Sequence, residues 1–203
     1  MVVVAWEETA CSPSTQTWIP PVSSGPPKVE GVYEQVLEGD NGVFVGSRPT
    51  TLPEPVNRAL AKSSMAVATA FQVLGYVGRC SFDFVVVGDP GSEFQVKLTE
   101  CNGRWGGTST PMHLVDRVLG RPRPPYWAQD YVHEDLVGIS FPEVMDRVGD
   151  AIFDPAIGDG SYIFYNVGPL ARTGKLDVVA LAATPQRAED LVREDLPRRL
   201  GLS

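Results

Sequence analysis

Asp83, within Phe82-Asp83-Phe84, and the run Glu100-Cys101-Asn102-Gly103-Arg104-Trp105-Gly106-Gly107 place two carboxylates, an amide and a guanidinium beside otherwise apolar strands. Hard oxygen donors of this kind, with no Cys or His set among them, suit Mg²⁺. That ion keeps several waters and takes its remaining oxygens from substrate phosphates. Phosphoryl chemistry is the reading they favour. Arg104, two residues beyond Asn102, then serves as a planar donor to a transferring phosphoryl group or a substrate carboxylate. The competing reading is an internal salt bridge between Arg104 and one of the carboxylates.

The elements that must position these groups follow from side-chain parity, because successive strand residues face opposite ways. Along residues 93–100, Glu93, Gln95, Lys97 and Thr99 form one polar set, and Phe94, Val96, Leu98 and then Glu100 form the other. Glu100, with Asn102 if the strand continues, is therefore expected in register with a buried face. There an unpaired carboxylate must neutralise or find a cation. The preceding strand, about Cys80 to Val87, carries Asp83 on the side of Val85 and Val87, and Gly88-Asp89-Pro90-Gly91-Ser92 has the composition of a hairpin loop. Asp83 and Glu100 are predicted to converge on one point.

Further strands are expected near residues 2–6, 14–18, 29–37 and 42–46, separated by Pro20-Pro21 and Gly25-Pro26-Pro27. Pro53-Glu54-Pro55 opens a helix running to about Leu74, with Val56, Leu60, Val67, Phe71 and Leu74 on one face and Gly75 as its stop. Pro111 to Leu119 reads as a second helix ended by Gly120, and Arg121-Pro122-Arg123-Pro124-Pro125 as an irregular connection. Beyond it come a short helix at Pro142 to Val148, strands at Ser161 to Val167 and Leu176 to Ala182, and a helix opened by Thr184-Pro185 as N-cap and N1. The expected class is α+β: an antiparallel sheet with packed helices over residues 1–120, followed by a small α/β domain over residues 121–203. No repeat or low-complexity tract is evident.

The 203 residues, 43% hydrophobic and 21% charged, suffice for one sizeable core or two small ones. With 25 acidic against 17 basic side chains the formal charge is −8, which gives nucleic acid or an anionic membrane no electrostatic hold. Cys11, Cys80 and Cys101 are odd in number and lack Cys-x-x-Cys spacing, which argues against a disulfide framework or a zinc site and for a reducing cytoplasm. No window reaches the apolar length of a membrane span, and the opening residues lack the basic region of a signal peptide. Cys101 is expected to face away from Glu100 as a packed thiol. His113 and His133 have no ligand or nucleophile at suitable spacing, and Arg48 reads as a solvated turn residue. Gly103, Gly106 and Gly107 lack the Gly-Lys-Ser/Thr ending of a phosphate loop, so they are read as permitting close backbone approach beside Arg104.

"LGYVGRCSFDF", a hairpin, and "LTECNGRWGGTSTP" resemble the C-terminal lobe of the ATP-grasp superfamily. There an acidic residue on one strand and a Glu-x-Asn on the next bind the magnesium ions that hold ATP, and a nearby Arg assists the reacting acyl phosphate. Asp83, Glu100, Asn102 and Arg104 occupy those positions. "CSPSTQTWIPP", "EGVYEQVLEG" and "GKLDVVALAATP" are similar to peptide ligases of the pheganomycin-forming type. A broader similarity to biotin-carboxylase-like enzymes spans roughly residues 1–120, yet the bicarbonate and biotin residues have no counterpart, so the resemblance implies a ligase.

By the same resemblance, the segment before "SPSTQ" is the adenine hinge: the backbone at Ala5 and Trp6 meets adenine, and Glu7 or Glu8 accepts bonds from the ribose hydroxyls. An ordinary edge strand with solvated acids is the alternative. ATP-grasp enzymes precede this lobe with an N-terminal domain and a lid bearing phosphate-binding Lys and Gly residues, so the chain is expected to be the C-terminal part of a longer enzyme. The implied reaction uses ATP and Mg²⁺ to convert a small-molecule or peptide carboxylate to an acyl phosphate, which an amine attacks to give an amide. The alternative is a non-catalytic nucleotide-binding or interaction remnant, or one half of a split enzyme that joins a separate N-terminal ATP-grasp portion.

Overall fold

The computed structural model describes residues 11–39 and 42–202, so the strand expected over residues 2–6 lies outside the described residues. In chain order the elements are β1 (Pro13–Ile19), β2 (Lys28–Glu38), β3 (Val43–Pro49), α1 (Glu54–Val73), β4 (Gly78–Gly88), β5 (Phe94–Asn102), α2 (Ser109–Leu119), β6 (Tyr126–Val132), α3 (Phe141–Val148), β7 (Tyr162–Tyr165), α4 (Leu170–Thr173), β8 (Lys175–Leu181), α5 (Pro185–Asp190) and α6 (Leu196–Leu200). They form two compact units, one comprising residues up to Gln35 with Pro49–Ser109, the other Val36–Arg48 with residues from Thr110 onward. The class is α+β, with antiparallel strands and packed helices, as the pattern predicts.

In the first unit the strands run in the order β5-β4-β1-β2, each neighbour antiparallel. One face of β4 supplies Cys80, Phe82, Phe84 and Val86 to a core completed by Ile19 and by Val56, Leu60 and Ala68 of α1. The buried stripe of α1 is Val56, Leu60, Ser64, Ala68 and Gln72. Its two polar members are satisfied where they sit. Ser64 Oγ lies 2.7 Å from Thr15 Oγ1 and donates to the Leu60 carbonyl, and Gln72 Nε2 donates to the Pro20 and Gly25 carbonyls at 2.8 Å.

Leu74, expected on the apolar face, is instead exposed, because it caps the helix beyond the last packed turn. Gly75 does stop α1. At φ +90° its N–H bonds the Gln72 carbonyl while the Tyr76 N–H reaches back to Phe71, the Schellman pattern, and the Phe71 and Tyr76 rings meet at 6.1 Å.

In the second unit β3, β6, β8 and β7 are successive antiparallel neighbours over a core that includes Trp127, Tyr162, Leu176, Val178, Leu191 and Leu196. The Thr184 hydroxyl accepts the Arg187 N–H at 3.2 Å with Pro185 at the first helical turn, as predicted. β6 was not foreseen. Tyr126, Trp127 and Ala128 are all buried, so the strand shows none of the alternation that marks a half-exposed one. Among the described residues no helix is long and apolar enough to cross a membrane.

Leu60, fully buried between α1 and the first sheet, gives a direct check on this core. Leu60→Ala is expected to cost about 2–5 kcal/mol in urea unfolding, the range for deleting a buried leucine side chain. A loss below about 1 kcal/mol would contradict the packing described.

Candidate active site on strands β4 and β5

Glu100 stands directly opposite Asp83 across the β4–β5 pair, and Asn102 opposite Ser81. The chain reaches this arrangement by a route that simple parity misses. Phe84 opposes Leu98 while Asp83 opposes Glu100, which leaves Thr99 as one extra residue, a β-bulge. The Thr99 hydroxyl donates to the Asp83 carbonyl at 3.0 Å and ties the bulge down. Because the extra residue reverses the alternation, Glu100 leaves the face of Val96 and Leu98 and joins Asp83, on the side away from Phe82, Phe84 and Val86. The expectation that Glu100 lies in register with the buried face is therefore corrected: Glu100 is exposed and Asp83 half-buried, yet the two converge as predicted.

The amide and the guanidinium extend this pair into a chain. Asn102 Nδ2 donates to Asp83 Oδ2 at 3.1 Å, and Asn102 Oδ1 accepts from Arg104 Nη2 at 3.1 Å. Arg104 Nη1 donates to the Trp105 carbonyl at 3.4 Å. Among the described residues Arg104 thus bonds the amide and a loop carbonyl rather than either carboxylate, and the residue is exposed.

Burial pushes the Asp83 carboxyl above the ordinary carboxylate range; hydrogen bonds from Ser14 and Gln35 oppose this, and the neighbouring Glu100 charge adds to it. Two acids facing one another at the end of a hairpin are a place where a cation relieves repulsion. The donors fit Mg²⁺: two carboxylates and an amide oxygen, all hard. Among the described residues no three His, Cys, Asp or Glu gather in a set that could hold a metal ion, so an ion here would rest on two carboxylates and one amide oxygen.

Cys101 faces away from Glu100 as expected, and its Sγ lies 3.3 Å from that of Cys80. It is exposed rather than packed, a correction that follows from its place on strand β5 at the end of the strand order. The Cys80 thiol is pushed up to about 12 by burial and by its hydrogen bond with Cys101, which favours the protonated form.

The loop after Asn102 is held at both ends. A Cβ at Gly103 would come within 3.3 Å of the Tyr76 ring, so this glycine does permit a close approach; at Gly106 the corresponding contact is an ordinary 3.6 Å. The Gly106 N–H donates to Ser109 Oγ at 3.1 Å, and that hydroxyl donates to Gln16 Oε1 at 2.8 Å, with Gln16 and Ser109 buried.

Ser14, Gln16, Gln35 and Ser109 were missed in the sequence. The available signal was the alternation of β1, whose Ser14, Gln16 and Trp18 lie opposite Asp83, Ser81 and Arg79 of β4. Ala5, Trp6, Glu7 and Glu8, the expected adenine hinge, lie outside the described residues. Arg48 belongs to the second unit, where its guanidinium lies 5.3 Å from the Trp127 ring centre and 3.7 Å from Glu189. His133 accepts the Asp135 N–H at 3.2 Å and caps a turn.

No family model and no curated protein matches the chain. Solved structures do. Over 97% of the chain it superposes on N5-carboxyaminoimidazole ribonucleotide synthetase from Thermus thermophilus with a TM-score of 0.59 at 16% identity, covering 51% of that protein. Carboxyaminoimidazole ribonucleotide synthase from Aspergillus clavatus, complexed with ATP, gives 0.61 at 11% identity, again over 97% of this chain and 52% of the other. The phosphoribosylaminoimidazole carboxylase ATPase subunit from Aquifex aeolicus gives 0.56 at 13% identity, over 97% and 57%. The chain thus has the ATP-grasp fold and spans about half the length of the structures it matches.

Asp83 supplies a test that needs no substrate. A carboxyl whose pKa is raised by folding favours the folded state fully below its unfolded pKa, and that contribution is lost as pH rises through the folded value. Without metal, urea unfolding from about pH 4 to pH 7 is expected to show the native chain losing stability relative to Asp83→Asn as Asp83 ionises. Mg²⁺ should stabilise the native chain, by about 1.4 kcal/mol at ten times its Kd, and not the variant. Parallel pH curves and equal Mg²⁺ responses would contradict the site.

Proposed function

We propose that this chain is the C-terminal part of an ATP- and Mg²⁺-dependent carboxylate–amine ligase of the peptide-forming type. The observation that carries the reading is the lateral Asp83–Glu100 pair continued through Asn102 to Arg104 on one edge of an ATP-grasp fold. Asp83, Glu100 and Asn102 would hold the magnesium ions, which neutralise charge on the ATP phosphates when bound. Ser14 and Gln35 keep the Asp83 oxygens aimed. Arg104, exposed and oriented by the Asn102 oxygen, donates to the transferring phosphoryl group and then to the acyl phosphate oxygens. The carboxylate takes the γ-phosphoryl group and ADP leaves; the amine then attacks the acyl carbon, the bond to phosphate breaks and inorganic phosphate departs with loss of the amine proton, so no protein nucleophile is needed.

A second reading has one observation in its favour: the similar structures are named as carboxyaminoimidazole ribonucleotide synthetases and a carboxylase ATPase subunit, and at 11–16% identity they bear on fold rather than substrate. In that reading bicarbonate replaces the organic carboxylate, and bicarbonate-dependent ADP release is its mark.

In the full-length enzyme, Asp83→Asn or Glu100→Gln should abolish carboxylate-dependent ADP formation with the fold intact by circular dichroism. Arg104→Ala should lower kcat by about 10²–10³, the effect of removing one preorganised donor to developing charge. Undiminished turnover in the carboxylate variants refutes the site.

A further inference from the structure

A second β-bulge lies in the same sheet of the first unit. Across β1–β2, Gln16 opposes Gly31 and Thr17 opposes Val29, which leaves Glu30 as the extra residue. Its carboxylate accepts a hydrogen bond from Arg79 Nη1, and the Arg79 and Glu30 side chains are only 16% and 22% exposed. Arg79 stands opposite Trp18 and shares the Asp83 face of β4. Its guanidinium carbon lies 5.8 Å from the Trp18 ring centre and 5.2 Å from that of Trp105.

Trp105 follows Arg104 directly, in a loop whose start rests on Tyr76 and whose end is pinned by Ser109. Between those anchors the Trp105 ring rests on the Arg79 guanidinium. A largely desolvated cation held by one carboxylate and two indole faces is a rigid point, since separating it would leave the Glu30 carboxylate enclosed without that guanidinium. Trp105, by contrast, is 52% exposed, and the Arg79 guanidinium is a contact that orders its ring.

Building on the ligase reading, we propose that Arg79 is a positioning residue for Arg104. Glu30 fixes Arg79, Arg79 fixes Trp105, and Trp105 holds the Arg104 backbone where its guanidinium meets Asn102.

Hydrogen exchange on the chain reads the first link. The Arg104 N–H donates to the Asn102 carbonyl at 2.9 Å and the Gly106 N–H to Ser109 Oγ at 3.1 Å, so both have protection to lose. Arg79→Gln should speed exchange at both by about tenfold while Phe84 and Val85 in mid-β4 keep their rates, and Arg79→Lys should restore much of the protection. No change at 104 and 106, or equal acceleration throughout β4, overturns the proposal.

The intact enzyme reads the second link. Arg79→Gln should lower kcat by about tenfold with KM for ATP unchanged, and Arg79→Lys should recover part of the loss. A loosened loop with unchanged kcat overturns the positioning role. Asp83→Asn run alongside separates the two levels: if its turnover is undiminished, the ligase reading fails and the positioning role fails with it.

Discussion

The extra residue at Thr99 sets which way Glu100 points, and with it whether β4 and β5 carry a site. Without it, Glu100 would continue the face of Val96 and Leu98, against the side where Phe82, Phe84 and Val86 are fully buried. There it would stand on the opposite face from Asp83, beside the exposed Leu98, and the two carboxylates could not meet. One inserted residue turns it to the other face, beside Asp83, and a hydroxyl bond from Thr99 to the Asp83 carbonyl keeps it there. A one-residue slip would return every later side chain of β5 to the wrong side, so Asn102 depends on the same feature.

The arrangement so produced works against local stability. Asp83 is half-buried, faces a like charge, and has its carboxyl raised by burial despite bonds from Ser14 and Gln35. Structures accept such unfavourable pairs where a ligand later removes the conflict. The surroundings are correspondingly firm: Thr15 bonds Ser64 of α1, Gln72 ties α1 to two loop carbonyls, and the loop bearing Arg104 is fixed at Tyr76 and at Ser109. Two bulges, at Thr99 and Glu30, break the regular alternation beside acidic side chains: Glu100 comes to stand opposite Asp83, and Glu30 meets Arg79.

Local chemistry was the legible part of the sequence. Gly75 as a helix stop, Thr184-Pro185 as a helix start and the Gly88–Ser92 turn each act over a few residues, and each stands where expected. The Asp83–Glu100 convergence was foreseen, but from an unbroken alternation that the bulge replaces. β6 escaped because burial on both faces removes the periodic signal. Ser14, Gln35 and the Glu30–Arg79–Trp105 series escaped for another reason: they meet through strand register across long sequence separations, and register is a property of the folded sheet. The roles given to Asp83, Glu100, Asn102 and Arg104 came from donor chemistry and then from resemblance, and the geometry brings those four side chains together.

The most direct measurement is an anomalous difference map from crystals of this chain grown with Mn²⁺ in place of Mg²⁺. The account predicts a peak bonded to carboxylate oxygens of both Asp83 and Glu100, with Thr99 bulged between the two strands and the amide of Asn102 at its side. A map with no peak there, or one in which Glu100 points to the face of Phe84 and Val86, would contradict it.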